Sequence, residues 1–142
     1  MQPSKPTESE LEILQLLWEL GPSTVRTVND RLNDPQNPPR GGRRAAGEVR
    51  EVGYTTTLKL LQIMYEKGLV RRTEDGRTHI YTAVVSEQDT QSLLLQQFVD
   101  SAFRGSAMKM VMQALGNHDA SQSELEEIKT LIAQMEQNQL KP

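Results

Sequence analysis

Apolar positions recur along this chain at spacings that define its elements one after another. Thr7-Glu8-Ser9-Glu10 reads as a capping box, in which the Thr hydroxyl and the Glu carboxylate satisfy the first free amides of a helix. Leu11, Leu14, Leu17 and Trp18 then fall on one face, and Gly21-Pro22 ends the helix. Val25, Val28 and Leu32, at i, i+3 and i+7, predict a second short helix from about Thr24 to Leu32. A third is predicted over Tyr54 to Lys67, with Gly68 placed to cap its end. Its apolar face is Thr57, Leu60, Leu61 and Met64, while Thr55, Thr56 and Lys59 stand opposite at its start. Leu69 to Thr73 and Thr78 to Val84 read as two strands around Glu74-Asp75-Gly76-Arg77, because Asp-Gly between short β-rich flanks signals a hairpin.

Beyond the hairpin the period is helical throughout. Ser86-Glu87-Gln88-Asp89 resembles another capping box, and Leu94, Leu95, Phe98, Ala102 and Phe103 follow as an apolar stripe. Gly105-Ser106 interrupts it. Met108, Val111, Met112 and Leu115 make a shorter stripe that ends near Gly116-Asn117. Ser121-Gln122-Ser123-Glu124 then caps a last helix lined by Leu125, Ile128, Leu131, Ile132 and Met135. One stretch has no such pattern. Asn33 to Val52 holds Pro35, Pro38, Pro39, Gly41, Gly42 and Gly47, with Arg40, Arg43, Arg44 and Arg50 among them. That density of breakers argues for a mobile loop, and a loop so long in a compact domain is usually functional or disordered.

Helix, helix, helix, hairpin is the order of a winged helix-turn-helix. The expected fold is therefore mainly α with a small β-wing. A winged domain is expected over residues 1–85, with the insertion at about 34–52, followed by a helical dimerisation region over 86–142. In such a domain the third helix enters the DNA major groove and its N-terminal side chains reach base edges. Thr55 and Thr56 can hydrogen-bond to bases or set a methyl against thymine, and Lys59 can reach guanine or phosphate. The plainer alternative for the threonines is helix capping. Arg71, Arg72 and Arg77 on the hairpin are placed for flanking phosphates or the minor groove, or else mark a solvated strand face. The C-terminal helices are too short to build their own core, so their stripes need a partner surface, most simply a second copy of the chain. The expected dimer interface is Leu94, Leu95, Phe98, Ala102 and Phe103, then Met108, Val111, Met112 and Leu115, then Ile128, Leu131 and Ile132. The alternative is that these helices fold back on their own winged domain.

Charge sharpens this picture. The 142 residues carry a net charge of −3, unevenly spread. Residues 1–85 hold 12 Lys/Arg against 11 Asp/Glu, and residues 86–142 hold 4 against 8. Between Arg40 and Arg77 there are 9 basic and 5 acidic residues, a basic middle ahead of an acidic tail. In this reading Arg40, Arg43 and Arg44, next to the groove-reading helix, add phosphate contacts; the alternatives are that the insertion stays disordered or meets a regulator.

Composition mostly excludes. No run approaches the ~20 apolar residues of a membrane span, so no membrane insertion is expected. Met1-Gln2-Pro3-Ser4-Lys5-Pro6 lacks the apolar core of a signal peptide, which makes the cytoplasm the expected location. The absence of cysteine removes disulfides, thiolate metal sites and thiol nucleophiles. His79 and His118 lie far apart, Glu126-Glu127 reads as a solvated helix face, and Met108, Met110 and Met112 read as packing. No glycine-rich phosphate loop, nucleophile elbow or metal-ligand spacing occurs. We therefore expect no enzyme, no cofactor and no metal.

Several segments together resemble the penicillinase-repressor family of bacterial transcription regulators. They are Glu8-Ser9-Glu10-Leu11-Glu12-Ile13-Leu14 with Leu17-Trp18, Tyr54-Thr55-Thr56-Thr57 with Leu60-Leu61, and Lys67-Gly68-Leu69-Val70 with Tyr81. Asp100-Ser101-Ala102-Phe103-Arg104-Gly105-Ser106 and Ser123-Glu124-Leu125-Glu126-Glu127-Ile128 continue the likeness into the tail. The resemblance implies a cytoplasmic homodimeric repressor on a palindromic double-stranded DNA operator, with Thr55, Thr56 and Lys59 as its recognition residues. It also raises the question of a regulator or membrane sensor that releases it. Where some members are cleaved at an Asn-Phe bond on induction, this chain has Gln97-Phe98. Where copper-responsive members carry a C-terminal cysteine-rich site, it has none, and Ile63 stands where members are often basic. The reading to weigh against a repressor is a winged helix used for protein–protein assembly without sequence-specific DNA binding.

Overall fold

The computed structural model describes residues 5–35, 51–117 and 119–140. Its elements run α1 (Glu8–Leu20), β1 (Ser23–Thr24), α2 (Val25–Leu32), α3 (Tyr54–Lys67), β2 (Val70–Asp75), β3 (Thr78–Ala83), α4 (Glu87–Ala102), α5 (Ala107–Asn117) and α6 (Gln122–Leu140). The chain is mainly α with a small antiparallel sheet in the order β1-β3-β2. It divides into two compact units, Met1–Leu94 and Leu95–Pro142, with the division inside α4.

The capping box of α1 forms as the sequence predicts: Glu10 N donates to Thr7 Oγ1 at 3.2 Å and Thr7 N donates to Glu10 Oε1 at 2.9 Å. The buried face of α1 is wider than the predicted stripe. Ile13, Leu14, Leu16 and Leu17 are all buried, whereas Leu11 and Trp18 are only half-buried. α1 lies against α2, α3 and β3, and a helix in contact on several sides buries more than one narrow row. Trp18 still has a fixed role, since its Nε1 donates to Val85 O at 2.9 Å and ties α1 to the chain leaving the sheet.

Val25, Val28 and Leu32 of α2 are buried with Leu61 and Met64 of α3, closing the core together with Leu69, Val70 and Tyr81. β1 was not foreseen. Its two residues pair Ser23 with Tyr81 and Thr24 with Ile80, making the sheet three-stranded rather than a hairpin alone. Two residues are too few to show alternation, and Thr24 also accepts from Thr27 N as the cap of α2. α3 spans the predicted residues, and Gly68, at φ 82°, closes it. Leu69 N donates to Met64 O and Gly68 N to Tyr65 O, the pair of bonds of a Schellman motif.

The hairpin is tighter than predicted. β2 runs on to Asp75, which pairs with Thr78, so the turn is only Gly76-Arg77. Gly76 has φ 66° and Arg77 has negative φ, as in a type II′ turn, where glycine takes the first central position. At the far end β3 stops at Ala83, leaving Val84 exposed and outside the sheet.

In the second unit, Ser106 Oγ caps α5 by accepting from Lys109 N. Ser121 and Glu124 form the reciprocal capping box of α6. At the head of α4 only one half of the predicted box appears, with Asp89 N donating to Ser86 Oγ.

Candidate nucleic-acid interface

α3 is the second helix of a helix-turn-helix, and Asn29 of α2 and Asn33, the cap at its end, set where it begins. Asn33 Nδ2 donates to Val52 O at 2.9 Å while its Oδ1 accepts from Val52 N at 2.6 Å, so one side chain reads both backbone groups of Val52. Asn29 Nδ2 adds bonds to Val52 O at 2.9 Å and to Thr57 Oγ1 at 2.8 Å. Thr57 is fully buried, so the last bond satisfies a hydroxyl that has left water. This clamp joins the chain on either side of residues 36–50 and docks α3 on α2. The residues involved are two polar side chains four apart at the end of an amphipathic helix, a pattern that sequence reading passes over as solvated.

The start of α3 is exposed and polar. Gly53 is its N-cap, with no side-chain capping bond, so Thr55 and Thr56 are not spent as caps. Thr55 and Lys59 stand in one row with Gln62 at i, i+4 and i+7, all exposed, and Thr56 stands beside that row. Gln62 was missed at the sequence level. Its signal was the same helical spacing continued by one turn. Ile63 is also exposed.

On the wing, Arg71, Arg72 and Arg77 are all exposed. Arg77 occupies the turn, while Arg71 pairs with Thr82 and Arg72 with Tyr81, so the neighbouring arginines leave the sheet on opposite faces. The Arg72 guanidinium lies 4.2 Å from the centroid of the Tyr65 ring on α3. Among the described residues, Lys59, Arg71, Arg72 and Arg77 have no carboxylate partner. Arg31 and Lys67, away from this surface, are paired with Glu19 at 3.0 Å and with Glu10 at 2.6 Å. Glu74 and Asp75 are exposed near the turn and temper the local positive field. Arg40, Arg43 and Arg44 lie outside the described residues.

Of the side chains expected at a dimer interface, Leu95, Phe98, Ala102, Met108, Val111, Met112, Leu115, Leu131 and Ile132 are exposed. Leu94, Phe103 and Ile128 are half-buried. Phe98 and Phe103 meet edge to face with ring centroids 5.6 Å apart. Phe103, Met108 and Met112 also line an open groove of about 470 Å³ together with Lys109, Gln113, Gly116 and Asn117. No group of His, Cys, Asp and Glu that could hold a metal ion occurs among the described residues. No helix there is long and apolar enough to cross a membrane.

A helix-turn-helix followed by a two-stranded wing is the winged-helix fold. In fold the chain is similar to the solved structure of a MarR family protein from Bacillus stearothermophilus, with a TM-score of 0.50 and 17% identity over 97% of this chain and 78% of that one. The sequence goes further: the profile of the penicillinase repressor family matches residues 43–134, and the chain belongs to that family. It is 26% identical over 126 residues to the methicillin resistance regulatory protein MecI of Mammaliicoccus sciuri, covering 89% of this chain and 91% of that one. It is 21% identical over 132 residues to a penicillinase repressor of Bacillus licheniformis, covering 89% and 88%.

Proposed function

We propose that this protein is a sequence-specific DNA-binding repressor that acts as a homodimer on a palindromic operator. The observation that carries the proposal is the surface of α3 and the wing. A polar row that is not consumed by capping and that includes Lys59 lies with the three arginines of the wing, and none of these four cations has a carboxylate partner among the described residues. Thr55, Thr56 and Lys59 take the base edges, where hydroxyl, methyl and ammonium groups discriminate in the major groove. Arg71, Arg72 and Arg77 take phosphates, which fix register without reading sequence. By sequence position Arg40, Arg43 and Arg44 add to that set. Residues 1–85 form the DNA-binding part in this reading and residues 86–142 the dimerising part. The exposed apolar side chains of α4, α5 and α6 support the second role, because contiguous apolar surface marks an interaction site.

The test is selection of bound duplexes from a random library at about 150 mM salt, since phosphate-driven affinity depends steeply on ionic strength. The expected result is a twofold-symmetric motif with half-sites about one helical turn apart. No enrichment from a protein that is nonetheless dimeric would replace this reading with a winged helix used for protein–protein assembly.

A further inference from the structure

Alternation along β2 gives its two adjacent arginines different surroundings. Arg72 stands opposite Tyr81 in the register, and directly opposed residues project from the same side of a sheet. That side also carries Val70, which is buried with Tyr81 in the core. Past Val70 the residues of β2 are exposed, Arg72 among them, although Tyr81 opposite it on β3 is buried. What it meets is Tyr65, a ring still 41% exposed on the wing-facing flank of α3. The guanidinium carbon sits over the ring, and its N–H donors make no hydrogen bond among the described residues, so they remain available to an acceptor. None of those donors meets a carboxylate among the described residues, although Glu74 lies two residues along the same face. An arginine held in this way has already lost much of the rotamer freedom that binding would otherwise remove.

We infer that Tyr65 is a positioning residue for nucleic-acid binding, holding Arg72 beside α3 with its N–H edge presented to a backbone phosphate. The inference rests on the DNA-binding reading above and adds a residue to it. Tyr65 carries no charge, so a protein in which it merely fills space would show no electrostatic signature on its removal. A protein in which it orients Arg72 would show one.

The experiment uses the full chain and a labelled mixed-sequence duplex of about 30 base pairs, titrated between about 50 and 200 mM salt. Arg72→Ala is expected to lower the slope of log K against log salt by about 0.9 and to weaken binding roughly eightfold near 0.1 M salt, the share of one phosphate contact. Tyr65→Leu is expected to weaken binding severalfold and to flatten the slope in the same direction, while Tyr65→Phe, which keeps the ring, behaves as the unaltered protein. In the Arg72→Ala background Tyr65→Leu should add nothing. Arg72→Lys keeps the charge without the planar fork, and is expected to bind severalfold more weakly. Should Tyr65→Leu fail to fold, Tyr65→Gln, which keeps length without a ring, takes its place in the same cycle with Arg72→Ala. Effects of Tyr65→Leu and Arg72→Ala that multiply, or Arg72→Lys binding equal to the unaltered protein, would overturn the inference alone. Absence of salt-dependent duplex binding by the unaltered protein would overturn the DNA-binding reading and this inference with it.

Discussion

Glu10 makes two kinds of contact with one carboxylate. It completes the capping box of α1 through Thr7 N, and it accepts from Lys67 Nζ at 2.6 Å, joining the start of α1 to the end of α3. Burial pushes its pKa up. The Lys67 hydrogen bond, the Thr7 amide, the Lys67 charge and the Thr7 hydroxyl together outweigh burial and hold the carboxyl below the ordinary glutamate value. A depressed carboxylate binds fewer protons in the folded state than in the unfolded one. Its contribution to stability is therefore complete above the unfolded pKa, near 4.3, and is lost as pH falls through the folded value. We expect Glu10→Gln to cost about 1–3 kcal/mol at pH 7, less than a fully buried pair because Lys67 keeps a quarter of its side chain in water. Urea unfolding at pH 7 and near pH 3 checks both parts: the deficit should shrink at the lower pH, and an equal deficit at both would show that the charge is not what matters. The capping box was legible in Thr7-Glu8-Ser9-Glu10 because it is local. The Lys67 partner, 57 residues away, was not, because nothing in the spacing of either residue encodes the fold that brings them together.

Locality also divides what could be read of the elements. Both ends of α3 follow from its sequence, because an apolar period starts at one end and a glycine able to take positive φ closes the other. The exposed threonines and Lys59 followed from the same period. The docking of α3 did not, since it depends on Asn29 and Asn33 reaching across the turn to Val52 and Thr57. β1 escaped for a related reason: its pairing partner, β3, lies some 57 residues further along. Removing Asn29 tests the clamp at the scale of the element. Asn29→Ala would leave the buried Thr57 hydroxyl without its donor and Val52 O with Asn33 alone, at a cost of about 1–3 kcal/mol. Asn33 still grips both backbone groups of Val52, so the chain should fold. Hydrogen exchange is expected to quicken in the first turns of α3 while α1 and the hairpin keep their protection. Uniform loosening of the whole winged unit would mean that Asn29 supports general stability and not the position of this helix.

At the scale of the molecule, the two units have opposite balances of exposed and buried apolar surface. The first closes a core from three helices and the sheet, whereas α5 and α6 have no buried residue at all. Capping boxes and glycines make the helices of the second unit, but its stripes gain little free energy until something covers them. Sequence reading reached the stripes and expected a second copy to cover them, but periodicity itself shows only that a face is apolar and is silent on what packs against it. The uneven charge favours a second copy over nucleic acid as the cover: residues 86–142 hold 4 basic against 8 acidic residues, a poor surface for phosphates. Met112 is the position at which to test this, being 66% exposed in the single chain, so a substitution there disturbs little within it. Met112→Asp is expected to leave the melting of the winged unit unchanged and to shift the protein from dimer to monomer in sedimentation, because a carboxylate buried across an apolar interface has no partner to offset its lost hydration. Operator binding should then fall by about two orders of magnitude or more. Two half-sites engaged by linked copies gain from effective concentration, and two free monomers do not. A Met112→Asp protein that stays dimeric with full operator affinity would move the interface away from α5 and leave the groove beside Phe103 and Met108 to another occupant.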